Sequence, residues 1–205
     1  MSVRPVGTAP VEHADVELGD HARALYAEQS CECCTSYGRM HLICGPRAAC
    51  FPAQLFVGPD WPCMCITLAL ISGLSYLWLE NVARRLHPAI FVIGIVSAAV
   101  TGVAYLYAAC SDPGLIFKTP QNDAMRNMTA PKGYRKCGQC QIWRPPGASH
   151  CYDCGMCIME LDHHCPWTGK CIGQRTLQMF YVFTSTLCLH IIFVAVTTLL
   201  FFVGK

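Results

Sequence analysis

Seven cysteines and three histidines fall between Cys137 and Cys171, a span of 35 residues. The pairs Cys137/Cys140, Cys151/Cys154 and Cys154/Cys157 each have the C-x2-C spacing, which lets two thiolates of one turn meet a single zinc ion at about 2.3 Å. Gly138 and Gly155 suit the tight turns of zinc knuckles, where the backbone leaves ordinary φ/ψ space. Tetrahedral structural zinc commonly takes three cysteines and one histidine. Two such sites would use six cysteines and two histidines and leave one of each over. The run Asp162-His163-His164-Cys165 puts a carboxylate, an imidazole and a thiol within four residues. A thiolate is the reactive form of cysteine; a neighbouring imidazole can take its proton while a carboxylate orients the ring. This is the outline of a cysteine nucleophile with its base. Spacing alone also allows other ligand pairings, and it allows the whole run to be part of an inert zinc cage.

The elements that would position these groups are set by three apolar runs. Pro62 to Leu79 is 18 residues without a charge, Pro88 to Cys110 is 23, and Leu177 to Gly204 is 28 with His190 as its one titratable side chain. About 20 apolar residues span a bilayer core as a helix, because each backbone polar group must be satisfied within the segment. In a chain of 205 residues that is 53% hydrophobic and 14% charged, too little sequence remains to cover three such helices with protein. An ordinary soluble enzyme is thereby excluded, and so is a disulfide-knotted secreted domain, since the opening residues hold no apolar signal run. The net charge of +2, with no block of like charges, gives no attraction to nucleic acid. His190 is expected at a core position with its ring satisfied, because its helix offers no charged partner.

The connection from Glu80 to His87 is short, so the first two helices form an antiparallel hairpin and residues 1–60 and 111–176 share one side. The expected organisation is an N-terminal segment over 1–60, a transmembrane hairpin over 61–110 (helices at about 62–79 and 88–110), a cysteine-rich domain over 111–176 with its core at 137–173, and a third helix over 177–204. Within the first segment, residues 10–29 include a weakly helical stretch. Cys31, Cys33, Cys34, Cys44 and Cys50 fit no common zinc pattern and read as a loop of reduced thiols beside the membrane, some of them open to lipidation. Zinc-bound thiolates persist where glutathione keeps cysteines reduced, which places the shared side in the cytosol. Arg84 and Arg85 in the short loop point the other way and are outweighed.

The residues Cys137-x2-Cys140, Arg144-Pro145, His150-Cys151, Cys154, Cys157, Asp162-His163-His164-Cys165-Pro166-Trp167 and Cys171-Ile172-Gly173 resemble the cysteine-rich domain of the DHHC protein S-acyltransferases, the palmitoyltransferases. Asp112-Pro113-Gly114, just after the second apolar run, resembles the Asp-Pro-Gly motif of that family. The resemblance covers the layout from about 61 to 203 and is highly specific over 137–173. It implies an α-helical multi-pass membrane protein with a small cytosolic zinc-knuckle domain of short β-hairpins, in an endomembrane (Golgi or ER) or the plasma membrane.

The resemblance further implies two structural zinc ions, one held by Cys137, Cys140, His150 and Cys157, the other by Cys151, Cys154, His164 and Cys171. His163 and Cys165 then remain free. The implied activity is protein-cysteine S-palmitoyltransferase. Cys165, with His163 as base and Asp162 orienting it, would take a long-chain acyl group from acyl-CoA as a thioester and pass it to membrane-proximal cysteines of client proteins. The alternative is a catalytically weak, membrane-tethered zinc module that binds a partner. Gly147, Lys170 and Thr176 depart from the residues usual in the family. Thr197-Thr198-Leu-Leu lacks the Glu of its Thr-Thr-x-Glu motif, and a fourth helix is not present, so the chain is expected to be a fragment of a longer protein.

Overall fold

The computed structural model describes residues 36–44, 55–117 and 132–204. Three helices dominate it: α1 (Trp61–Asn81), α2 (Pro88–Cys110) and α3 (Leu177–Val203). All three are long and apolar enough to cross a membrane. Pro62 lies in the first turn of α1 and Pro88 opens α2, positions where the missing N–H would have no intrahelical partner. A single 3₁₀ turn (Ala83–Arg85) joins them, with Arg84 paired to Glu80 at 3.1 Å.

Aromatic rings and small residues seat the helices on each other. Trp78 of α1 meets Phe193 of α3 edge-on at 5.5 Å, and Tyr105 of α2 packs against Phe183 of α3 at 5.1 Å. Gly94 of α2 lets the Trp78 ring approach: a Cβ there would lie 2.4 Å from a ring carbon. His190 is buried between all three helices. Its Nε2 is 2.9 Å from Ser75 Oγ on α1 and its Nδ1 is 2.8 Å from Ser97 Oγ on α2, so both ring nitrogens have partners. Apolar side chains such as Leu74, Val103 and Leu189 face outward, as a lipid solvent demands.

Among the described residues between α2 and α3 the chain forms three two-stranded antiparallel hairpins: β4 (Arg135–Cys137) with β5 (Ile142–Arg144), β6 (Ser149–Cys151) with β7 (Met156–Ile158), and β8 (His163–Cys165) with β9 (Lys170–Ile172). A fourth unit precedes α1. Its strands β1 (Ser36–Tyr37), β2 (Met40–Cys44) and β3 (Leu55–Val57) form a three-stranded antiparallel sheet. The loop expected around Cys44 is thus replaced by strands over 36–44. Met40, Leu42 and Phe56 gain a core by packing on Leu115, Ile158 and the buried cysteines 151, 154 and 171. The β1–β2 turn sits directly on the second knuckle, with Arg39 N–H donating to the Cys154 carbonyl at 2.8 Å. Gly38 is required there: its φ is +60°, and a Cβ would meet that carbonyl at 2.5 Å. Cys31, Cys33, Cys34, Cys50 and the helical expectation over 10–29 lie outside the described residues.

Candidate metal centres and active site

The hairpins bring the metal-ligating side chains together by a simple register. In β6 the side chains of His150 and Cys151 point to opposite faces, as successive strand residues must. His150 stands opposite Cys157 across the hairpin, and the tip of the preceding hairpin supplies Cys137 and Cys140. The ligand atoms of Cys137, Cys140, His150 and Cys157 lie within 4.8 Å of one another. The next hairpin repeats the device: His164 and Cys171 are cross-strand partners in β8–β9, and the β6–β7 tip supplies Cys151 and Cys154. These four again cluster within 4.8 Å. Each tip therefore serves the centre completed by the following hairpin.

The donor spacing suits tetrahedral metal. Zinc bonds of about 2.3 Å to sulfur and about 2.0 Å to nitrogen place those atoms about 3.6 Å apart. The separations from His150 Nδ1 are 3.5, 3.3 and 3.8 Å to Cys137, Cys140 and Cys157. Those from His164 Nδ1 are 3.5, 3.4 and 3.5 Å to Cys151, Cys154 and Cys171. The backbone N–H of Cys140 points at Cys137 Sγ and that of Cys154 at Cys151 Sγ, so each knuckle turn also stabilises a thiolate. Within the second cluster, hydrogen bonding from the Cys171 thiol, acting against burial, pulls Cys154 down to about 6. The turns differ from the expectation at one point. Gly155 has φ +68°, but the left-handed residue of the first knuckle is Gln141 at φ +57° and not Gly138. The strained position is the one after the second cysteine, and Gly138 falls before it.

Cys165 belongs to neither cluster and is a buried free thiol. In β8 it shares a strand face with His163, two residues away, while His164 between them points to the second cluster. His163 Nδ1 lies 2.7 Å from Asp162 Oδ2, and its ring rests edge-on against Phe180 of α3 at 5.3 Å. A neutral imidazole has one N–H; with that hydrogen donated from Nδ1 to the carboxylate, Nε2 is left as a proton acceptor.

A family model for the DHHC palmitoyltransferase matches residues 130–205, the stretch that contains both clusters and Cys165. The chain carries a DHHC palmitoyltransferase domain. It is similar to palmitoyltransferase ZDHHC14 of Mus musculus, 32% identical over 159 residues that cover 63% of this chain and 32% of the relative. It is also similar to palmitoyltransferase ZDHHC9 of Homo sapiens, 30% identical over 180 residues, 73% of this chain and 50% of the relative. With protein S-acyltransferase 8 of Arabidopsis thaliana it shares 29% identity over 176 residues, 67% of this chain and 43% of the relative. The chain thus spans half or less of the length of these relatives.

Of the residues that hold the DHHC domain on the helices, Asp60 and Tyr105 carried no signal in the sequence, while Lys170 and Asp112 stood out there only by a departure from and a match to the family's residues. Asp60, the residue before α1, places Oδ2 2.7 Å from Nε2 of His164. Burial alone would lower His164, but the Asp60 carboxylate and Cys154 outweigh it and raise its pKa. Lys170, fully buried opposite Cys165, donates from Nζ to the Ala108 carbonyl at 3.0 Å, and burial pushes it down to about 8. The Tyr105 hydroxyl lies 2.8 Å from the carbonyls of both Met64 and Trp167, which leaves the Trp167 ring exposed beyond Cys165. In the Asp-Pro-Gly turn, Asp112 Oδ1 accepts the N–H groups of Gly114 and Leu115 at 2.8 Å, and Oδ2 accepts from the Arg175 guanidinium. The motif therefore ties the end of α2 to the start of α3.

Proposed function

We propose that this chain is the catalytic part of a protein S-acyltransferase that moves a long-chain acyl group from acyl-CoA to cysteines of client proteins. One observation carries the proposal: Cys165 stands outside both ligand clusters, on the strand face of a histidine whose Nδ1 is held by a carboxylate. His163 Nε2 takes the Cys165 proton, and the thiolate attacks the acyl-CoA thioester. The CoA thiolate leaves with the proton from His163, and the acyl group remains on Cys165. A client thiol then gives its proton to His163 and takes the acyl group, which regenerates the Cys165 thiolate. Each step exchanges one thioester for another, so placement of the reactants does most of the work.

In this proposal Cys137, Cys140, His150 and Cys157 hold one zinc ion and Cys151, Cys154, His164 and Cys171 hold the second. Both are structural, since all four tetrahedral positions are filled by protein. The hairpins are too small to bury a core of their own, so metal binding and their folding are one equilibrium.

The helices supply the solvent for the acyl chain. An apolar cavity of about 410 Å³ lies between α1 and α3, lined among others by Leu70, Leu74, Leu187 and Val194. Burial of each methylene contributes about 0.8 kcal/mol, which favours an acyl chain held among the helices over one in water. The cysteine-rich domain faces the reducing cytosol, with 1–60 on the same side, in an endomembrane or the plasma membrane. Incubation of the purified chain with a palmitoyl-CoA analogue tests the proposal. The expected result is hydroxylamine-sensitive label on Cys165 and none on Cys165→Ser. A folded chain holding two zinc ions that takes no label at Cys165 is the partner-binding zinc module instead.

A further inference from the structure

We infer that Asp60 is the positioning residue that registers the second metal centre to the first membrane helix, an inference that rests on the proposed metal sites. His164 approaches Cys151, Cys154 and Cys171 with Nδ1, so Nε2 must carry the ring's hydrogen whenever Nδ1 binds a metal. That hydrogen points at Asp60 Oδ2, 2.7 Å away. A carboxylate in this place fixes the tautomer, holds the ring plane and makes the ligating nitrogen more basic. The His164 side chain is only 13% exposed, whereas Asp60 keeps 38%, so the carboxylate stays partly hydrated and the contact carries no full burial penalty.

Asp60 grips the same strand pair a second time. Its backbone N–H donates to the Gly169 carbonyl at 3.2 Å, just beyond the 3₁₀ turn Pro166–Thr168 that follows Cys165. The two backbones can meet only because residue 58 has no side chain: a Cβ on Gly58 would lie 2.0 Å from the Gly169 oxygen. Gly169 itself has φ +79° and caps that turn. One residue at the head of α1 therefore holds His164 from one side and Gly169 from the other, and Cys165 lies between them. Because His164 occupies one face of β8 and His163 with Cys165 the other, fixing the His164 ring fixes the aim of the proposed nucleophile.

The test uses the full chain in detergent with wild type, Asp60→Asn, Asp60→Ala and the ligand variant Cys154→Ser. Metal content is measured together with competition against a colorimetric chelator and the absorption spectrum of the cobalt-loaded protein. Asp60→Asn keeps the shape of the side chain and preserves folding. The expected result is two metal ions in wild type, of which one is bound about 10- to 100-fold more weakly in Asp60→Ala and the other is unchanged. Asp60→Asn gives a smaller loss at the same ion, and cobalt bands belonging to one site shift. Wild-type affinity and spectrum at both sites in the two Asp60 variants overturn the inference and leave the metal centres standing. Fewer than two ions in wild type, or no ion lost in Cys154→Ser, overturns the metal centres and the inference with them.

Discussion

Lys170 stands directly across the β8–β9 hairpin from Cys165, with its ammonium sealed against the carbonyl of Ala108 in the last turn of α2. A cation is favourable at a helix C-terminus, and α2 has no basic residue of its own there. The β9 strand thus supplies from outside what the helix lacks, and fixes the floor beneath the proposed nucleophile.

Lys170→Met keeps most of the stem's volume but leaves the Ala108 carbonyl without its donor. The expected loss is about 1–3 kcal/mol, the cost of a buried acceptor left unpaired. Thermal unfolding in detergent measures it. A variant as stable as wild type would mean that the ammonium's desolvation cancels what its hydrogen bond contributes.

Tyr105→Phe removes the hydroxyl that reaches Met64 and Trp167 and changes little else in a fully buried site. Met64 lies in the first turn of a helix and keeps its helical partner, so the Trp167 carbonyl is the group that loses most. The expected cost is about 1 kcal/mol. Iodoacetamide modification of Cys165 should speed up as the turn Pro166–Thr168 loosens. An unchanged rate would show that Asp60 and Lys170 suffice to hold it.

The helices and knuckles were legible because their signals are local. Three uncharged runs define α1, α2 and α3 to within a few residues, and the C-x2-C pairs mark the hairpin tips. What joins them was not legible. Asp60 and His164 are 104 residues apart, and no pattern near Asp60 distinguishes it from any acidic residue before a helix. Gly58 and Lys170 likewise acquire their meaning only from a partner brought in by folding. Strands β1 to β3, two to five residues long, are too short to show an alternation and take their stability from the second knuckle. Gln141 was missed for a different reason: glycine was expected at the strained turn position, and a glutamine bears it, its side chain donating back to the Gly138 carbonyl at 2.5 Å.

The Asp-Pro-Gly turn separates two effects that one salt bridge would confuse. The Arg175 side chain is 62% exposed and that of Asp112 only 9%. Arg175→Ala leaves the buried Asp112 carboxylate its two N–H donors but removes its counter-charge, and should cost about 1 kcal/mol. Asp112→Ala strips the acceptor from two buried N–H groups and should cost about 2–3 kcal/mol. Equal losses in the two variants, measured by unfolding, would show that the ion pair and not the turn holds α2 to α3.

His190 offers a test of how a polar network behaves between membrane helices. A neutral ring has one N–H, so one of its two serines donates and the other accepts. Ser75 Oγ also lies 2.6 Å from the Ile71 carbonyl, which makes Ser75 the acceptor of the ring hydrogen and Ser97 the donor to Nδ1. When either serine is replaced by alanine, the ring can shift its hydrogen to suit the one that remains, because Ser97 also has the Gly94 carbonyl within 3.1 Å. Each single variant should cost about 0.6 kcal/mol, the usual size of such a bond between helices in a membrane. The double variant Ser75→Ala/Ser97→Ala strands the imidazole with neither partner and should cost more than the sum of the two. Equilibrium unfolding in mixed micelles closes the cycle, and strict additivity would show that each serine acts on its nitrogen independently.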